Sequence, residues 1–126
     1  MSEQKIFDTQ IDGNALIVVP LVNTGSFAEE AVNLELDKLL EAIDRPELTS
    51  IVFDFGRIAH FGSSMLGAMH VLWKRVSSRH GRMAVCNTSD VIREIMHISK
   101  FDTIWPMFDS RQEALEAVAA RGENRV

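Results

Sequence analysis

Two adjacent hydroxyls, Ser63 and Ser64, stand where an apolar run gives way to an amphipathic stretch, and that junction is where this chain is best equipped for chemistry. The run Ser50-Ile51-Val52-Phe53-Asp54-Phe55 is short and rich in β-branched and aromatic residues, so it reads as a central strand. Residues 65–76 then show helical spacing. A hydroxyl at such a place can cap the helix, contributing about 1 kcal/mol. It can also be reached by another enzyme. A phosphate on Ser63 would lie near the first free N–H groups, where the helix dipole favours an anion by about 0.3–1 kcal/mol at an exposed site. Its roughly two negative charges would leave the fold intact and break a close-packed partner interface through repulsion and desolvation.

An advance of about 100° per residue separates the faces of that helix. Met65, Leu66, Met69, Leu72, Trp73 and Val76 fall on one arc, the expected core side. Ser63, His70 and Lys74 fall opposite, with Gly67 beside them. Ser64 turns toward Val71 and Arg75, so Ser63 is the more accessible acceptor and Ser64 the alternative.

Other chemistry finds little support. Gly62-Ser63-Ser64-Met65-Leu66 lacks the second glycine of a nucleophile elbow. Asp54-Phe55-Gly56 spells a kinase tripeptide without the glycine-rich or catalytic loop that would accompany it. His60, His70, His80 and His97 lack close metal-ligand spacing. No metal and no cofactor are expected, and the chain reads as a non-enzyme.

The chain of 126 residues suits one domain spanning 1–126, with the 46% hydrophobic and 25% charged fractions of an ordinary globular protein. No apolar run reaches membrane-spanning length, and Met1-Ser2-Glu3-Gln4-Lys5 is not a secretory leader. Cys86 stands alone, which excludes an internal disulfide and points to a reducing cytoplasm. A net charge of −5 argues against nucleic-acid binding. Lys74, Arg75, Arg79, His80 and Arg82 nevertheless cluster late in the helix. They read either as cations favoured at a helix C-terminus or as a basic docking edge for an acidic partner. Glu29, Glu30, Glu35, Asp37, Glu41 and Asp44 crowd an earlier segment, where solvated faces are the simplest reading.

The remaining elements follow from period and punctuation. Ile6 and Ile11 bracket a first strand; Ala15-Leu16-Ile17-Val18-Val19 is a second, ended by Pro20. A turn-rich loop, Leu21-Val22-Asn23-Thr24-Gly25-Ser26, leads into a helix from about Phe27 to Ile43, with Val32, Leu36, Leu39, Leu40 and Ile43 as its buried stripe. Gly81 is the expected C-terminal cap of the helix after Ser64. Met83-Ala84-Val85-Cys86 is a further strand. Asn87-Thr88-Ser89-Asp90 caps a short helix carrying Val91, Ile92, Ile95 and Ile98. Thr103-Ile104-Trp105-Pro106-Met107-Phe108 reads as a last strand, placed at a sheet edge by Pro106. Ser110-Arg111-Gln112-Glu113 is a capping box for a final helix. This is an α/β pattern whose later strands should run parallel.

Residues 50–118 resemble the STAS domain, the fold of bacterial anti-sigma-factor antagonists. Ile51-Val52-Phe53-Asp54-Phe55 looks like its central strand, and Phe61-Gly62-Ser63-Ser64-Met65-Leu66-Gly67-Ala68 is similar to its Asp-Ser-Ser-Gly-Leu-Gly signature. Gly81-Arg82-Met83-Ala84-Val85-Cys86, Ile98-Ser99-Lys100-Phe101 and Asp109-Ser110-Arg111-Gln112-Glu113-Ala114-Leu115 match later stretches. The resemblance implies a mixed, mostly parallel sheet of about four to five strands with helices packed on it, in a binding module without catalysis. It implies a partner anti-sigma factor with serine kinase activity, a sigma factor freed by binding, and a phosphatase that resets the switch. The phosphoacceptor carries over to Ser63, and Gly62, Ser63, Ser64, Gly67, His70 and Lys74 form the implied contact face. A homodimer is left open. Gly62 replaces the signature's aspartate and Met65 its first glycine. Lys100 replaces a glycine, so a left-handed cap there is expected to be strained or absent. The loop after Leu21 lacks the family's acidic residue. Two other roles compete with the switch: an unphosphorylated scaffold or complex subunit, and a small-molecule or nucleotide sensor.

Overall fold

Strands Phe7–Asp12 (β1) and Ala15–Pro20 (β2) form an antiparallel hairpin around Gly13, whose φ of 62° suits glycine. The computed structural model describes residues 5–22 and 29–119; the expected helix start at Phe27, loop positions 23–26 and the tail 120–126 lie outside them. Three parallel strands continue the sheet: Ser50–Asp54 (β3), Met83–Cys86 (β4) and Met107–Phe108 (β5). Spatial order follows sequence order, β1-β2-β3-β4-β5. The helices are Glu29–Ile43 (α1), Ser63–Ser77 (α2), Asp90–Ile98 (α3) and Arg111–Ala119 (α4). The mixed, mostly parallel α/β sheet is as the sequence implied.

Two cores flank the sheet. On one face Leu16, Val18, Ile51, Phe53 and Val85 meet Val32, Leu36, Leu39 and Ile43 of α1 and Met65, Met69, Leu72 and Val76 of α2. On the other, Ala15, Ile17, Val52, Ala84 and Cys86 meet Ala114 and Val118 of α4. Burial on both faces is why β2, β3 and β4 read as unbroken apolar runs. The edge strand β1 is latched by Glu35, whose carboxylate accepts from the Ile6 N–H at 2.9 Å and the Phe7 N–H at 3.0 Å. This member of the acidic segment is therefore a bridge rather than a solvated charge.

Three expectations change. The last strand shrinks to Met107–Phe108, because Phe101–Thr103 forms a 3-10 helix and Trp105 turns inward, fully buried, with its ring 4.4 Å from that of Phe101. The edge position stands, since β5 is the outermost strand. At the end of α2 the left-handed residue is His80 (φ 66°), not Gly81. Bonds from the Gly81 N–H to Val76 O (2.7 Å) and from His80 N–H to Ser77 O (3.0 Å) make a Schellman closure. Gly81 is glycine for a different reason: a Cβ there would lie 1.6 Å from the Thr49 carbonyl oxygen. Of the two outcomes expected at Lys100, the strained cap is the one present: it adopts the left-handed conformation after α3 (φ 65°, ψ 15°). A side chain in that region costs roughly 1–2 kcal/mol, which a glycine would avoid. On α2, Ala68 joins the buried stripe, whereas Leu66 and Trp73 are only half-buried.

The other caps are as read. Ser89 Oγ accepts from the Ile92 N–H (3.1 Å), and Ser110 Oγ accepts from the Glu113 N–H (3.1 Å) while the Glu113 carboxylate reaches back to Asp109 N–H (3.2 Å).

Candidate functional site

The carboxyl end of β3 and its exit loop fix where α2 begins. The Asp54 carboxylate accepts from the Gly56 N–H (3.0 Å), so the chain turns tightly as the strand ends. Phe55 is fully buried, and its ring lies 5.2 Å from that of Phe61, which is buried in turn. Ser89 Oγ donates to Ala59 O at 2.6 Å and ties the loop to the start of α3. Phe61 and Met65 are thus two plugs in the core, and Ser63 is exposed between them. The bulk of Met65 points inward and does not crowd the serine face.

Neither serine is the cap. Gly62 occupies the N-cap with extended backbone (φ −100°, ψ −174°), so Ser63 and Ser64 are the first two helical residues. Glycine offers no side chain to the first N–H groups, and no acidic residue stands in the first turn. The two hydroxyls have opposite surroundings. Ser63 faces solvent, whereas Ser64 Oγ is buried and has no hydrogen-bond partner among the described residues. Of the two acceptors weighed from sequence, only Ser63 is presented.

Ser63, Gly67, His70 and Lys74 form one stripe along α2, as the helical arc predicted; all but the half-buried His70 are exposed. A Cβ at Gly67 would meet nothing within 4 Å, so the surface beside Ser63 is open rather than crowded. His70 borders an aromatic group, 5.6 Å from Trp73 and 6.1 Å from Phe101 between ring centroids. The late basic cluster is mostly consumed within the fold. Arg75 pairs with Asp44, Arg79 donates to the last carbonyl of α1 at Ile43, and Arg82 makes a long 3.5 Å contact with Ala117 O. Lys74 is exposed and forms no ion pair among the described residues. Cations serving helix ends, rather than a continuous docking edge, are what the structure holds.

One polar cluster lay beyond sequence reasoning. Asp54 Oδ1 accepts from Asn87 Nδ2 (3.0 Å), and Oδ2 accepts from Arg111 Nε (2.9 Å); Arg111 also reaches Gln10 at 3.1 Å. Burial pushes the Asp54 pKa upward, and is the largest single influence. The Asn87 and Gly56 hydrogen bonds, with the Arg111 hydrogen bond and charge, together outweigh it and hold the carboxyl below its ordinary 3.8. Burial, with the Asp54 charge nearby, pushes the Cys86 thiol up to about 12, so it is an inert apolar residue at neutral pH. Asn87, 33 residues from Asp54 in sequence, takes a left-handed φ of 58° to make its bond. The sole sequence signal was a charged residue inside an apolar strand. Among the described residues no group of three His, Cys, Asp or Glu side chains is placed to hold a metal ion.

Comparison with known proteins agrees with the fold. A sequence model of the STAS domain matches residues 8–114. BtrV of Bordetella bronchiseptica, described as a candidate anti-sigma factor antagonist, is 28% identical over 113 residues, covering 90% of this chain and 93% of its own. An anti-sigma F factor antagonist of Paenibacillus polymyxa is 28% identical over 86 residues, covering 68% of this chain and 71% of its own. Among solved structures, the anti-sigma factor antagonist SpoIIAA in its unphosphorylated form superposes with a TM-score of 0.76 at 21% identity, over 90% of this chain and 96% of that one. The phosphorylated form of the Bacillus SpoIIAA superposes with a TM-score of 0.69 at 21% identity, over 89% and 98%.

Proposed function

The chain belongs to the STAS domain family, and on that footing we propose that it is an anti-sigma-factor antagonist controlled by phosphorylation of Ser63. The unmodified Ser63–Gly67–His70–Lys74 stripe binds an anti-sigma factor and so frees a sigma factor. The serine kinase activity of that partner modifies Ser63 and ends the complex, and a phosphatase restores it. The chain itself supplies a surface and no catalysis, and the cycle runs in the cytoplasm. The relatives described as anti-sigma factor antagonists support the partner class. One observation supports the acceptor: Ser63 stands exposed between two buried plugs, while its neighbour Ser64 is turned into the protein.

Electrostatics favours release rather than internal neutralisation. Lys74, the free cation of the stripe, lies three helical turns from Ser63, roughly 16 Å along the axis. That exceeds the Debye length of about 8 Å at physiological salt. Lys74 therefore does not neutralise the phosphate, and the partial charge of the helix N-terminus offsets only a fraction of it, so a docked partner would have to desolvate an anion.

Mass spectrometry of the protein from its own cells should locate phosphate on Ser63 and none on Ser64. In binding assays Ser63→Ala should hold the cognate anti-sigma factor as wild type does, and Ser63→Asp should weaken it at least tenfold. Equal binding by the two variants, with no phosphate at residue 63 under several growth and stress conditions, would sink the switch and leave a constitutive scaffold.

A further inference from the structure

At the opposite end of the molecule from Ser63, a cleft of about 300 Å³ opens beside the first residues of β4. Trp73, Arg82, Met83, Ile104, Pro106 and Val118 line it. Its existence follows from the shortness of β5. The Val85 N–H donates to Pro106 O (3.0 Å) and the Asn87 N–H to Phe108 O (3.2 Å), so alternate amides of this strand face its outer neighbour. Met83 is the previous member of that series, but the ladder stops at Val85 opposite Met107. The edge of the sheet at Met83 thus turns its backbone donor and acceptor into the cleft instead of to another strand.

Three walls give this space a chemical character. The half-buried Trp73 ring offers an aromatic face, and Ile104 and Pro106 offer apolar contact. Among the described residues Arg82 is the one cation of the lining, and its guanidinium is engaged there only by the long 3.5 Å contact to Ala117 O. Five donors on a planar fork leave ample capacity for a carboxylate. Among the described residues no acidic side chain lines the cleft to compete for it. The volume lies at the low end of the roughly 300–1,000 Å³ typical of ligand sites. It suits one or two fused rings rather than a peptide or a nucleoside triphosphate.

We infer that this cleft binds a small aromatic carboxylate, its ring against Trp73 and its anion on Arg82, with the Met83 amide as a further donor. The site is separate from the Ser63 face and stands or falls without it. The test uses 2-naphthoate and its neutral counterpart 2-naphthalenemethanol, titrated into isotope-labelled protein and followed by amide and indole N–H shifts. Saturable 2-naphthoate shifts are expected at Gly81, Arg82, Met83, Ala84 and the Trp73 indole. Arg82→Gln, at an exposed position, should weaken 2-naphthoate at least tenfold and change the alcohol less than twofold. No saturable shift up to millimolar probe, shifts centred elsewhere, or equal weakening of both probes would each overturn the inference.

Discussion

Ser63 and Ser64 differ by one step of a helix, yet they call for opposite predictions. The Ser63 hydroxyl is exposed and spends nothing on capping, so Ser63→Ala should alter folding stability by no more than about 0.5 kcal/mol. The Ser64 hydroxyl is buried without a partner among the described residues, a state that costs about 1–3 kcal/mol. Ser64→Ala should therefore raise stability by about 1 kcal/mol in urea denaturation, and a loss of that size would refute its placement. Asp54 makes the third case. Its folded pKa is depressed, so it contributes stability that is present above the unfolded value near 3.8 and is lost as pH falls through the folded value. Asp54→Asn keeps the shape but breaks the charge pair, leaving Arg111 without its anion. At pH 7 the variant should lose about 2–3 kcal/mol. The gap between variant and wild type should narrow as the medium is acidified below about pH 4. A gap that stays constant with pH would mean that the charge contributes nothing.

At the scale of elements, the ends of helices divide into those set locally and those set by distant chain. The caps at Ser89 and Ser110 were legible because a hydroxyl and the amide it satisfies lie three residues apart. Gly81 was recognisable as a terminator but not for its true reason, because Thr49 is 32 positions away and nothing in the local pattern announces a close approach. Gly81→Ala should accordingly cost about 3 kcal/mol or more, since the neighbour that must yield is backbone. The left-handed Lys100 predicts the reverse. Lys100→Gly relieves roughly 1–2 kcal/mol of strain against a glycine entropy cost of about 0.5–1 kcal/mol. Thermal unfolding of that variant should show a gain of about 0.5–1 kcal/mol, and a net loss would contradict the geometry. Trp105 reads as a strand residue for a related reason. The apolar run from Thr103 to Phe108 satisfies a strand template, and only the Phe101 stack and the core beneath it select a turn.

For the whole molecule, the succession of elements along the chain and the stripe on α2 were legible because period and punctuation carry them. The long-range ties were not: Glu35 to the start of β1, and Asp54 to Arg111 across 57 positions. These ties distribute stability unevenly. Helix α4 has nine residues, too few to persist alone, since isolated helices need about 12–15. It rests on the small side chains Ala114 and Val118 and on the Arg111 anchor. β3 is hydrogen-bonded on both sides beneath two cores. Native-state hydrogen exchange should therefore show α4 amides opening at least about 2 kcal/mol more readily than those of β3. Simultaneous exchange of the two would show that the sheet and the helix on this face unfold as one.

The contact of Gly81 with Thr49 is one strand of a three-way knot. Asn14, at the tip of the β1–β2 turn, accepts from the Thr49 and Ser50 N–H groups at 2.9 and 3.1 Å and donates through its side chain to Thr49 Oγ1 at 2.9 Å. The turn after β1, the connection from α1 to β3 and the connection from α2 to β4 therefore set one another's lengths. A residue added to any one of them displaces the other two. Insertions, domain fusions and circular permutation should accordingly be resisted at this pole, and loop variation during divergence must fall at the end of the sheet that carries Ser63. The molecule is built with a fixed base and an adaptable crown, so new partners can be acquired without renegotiating the fold.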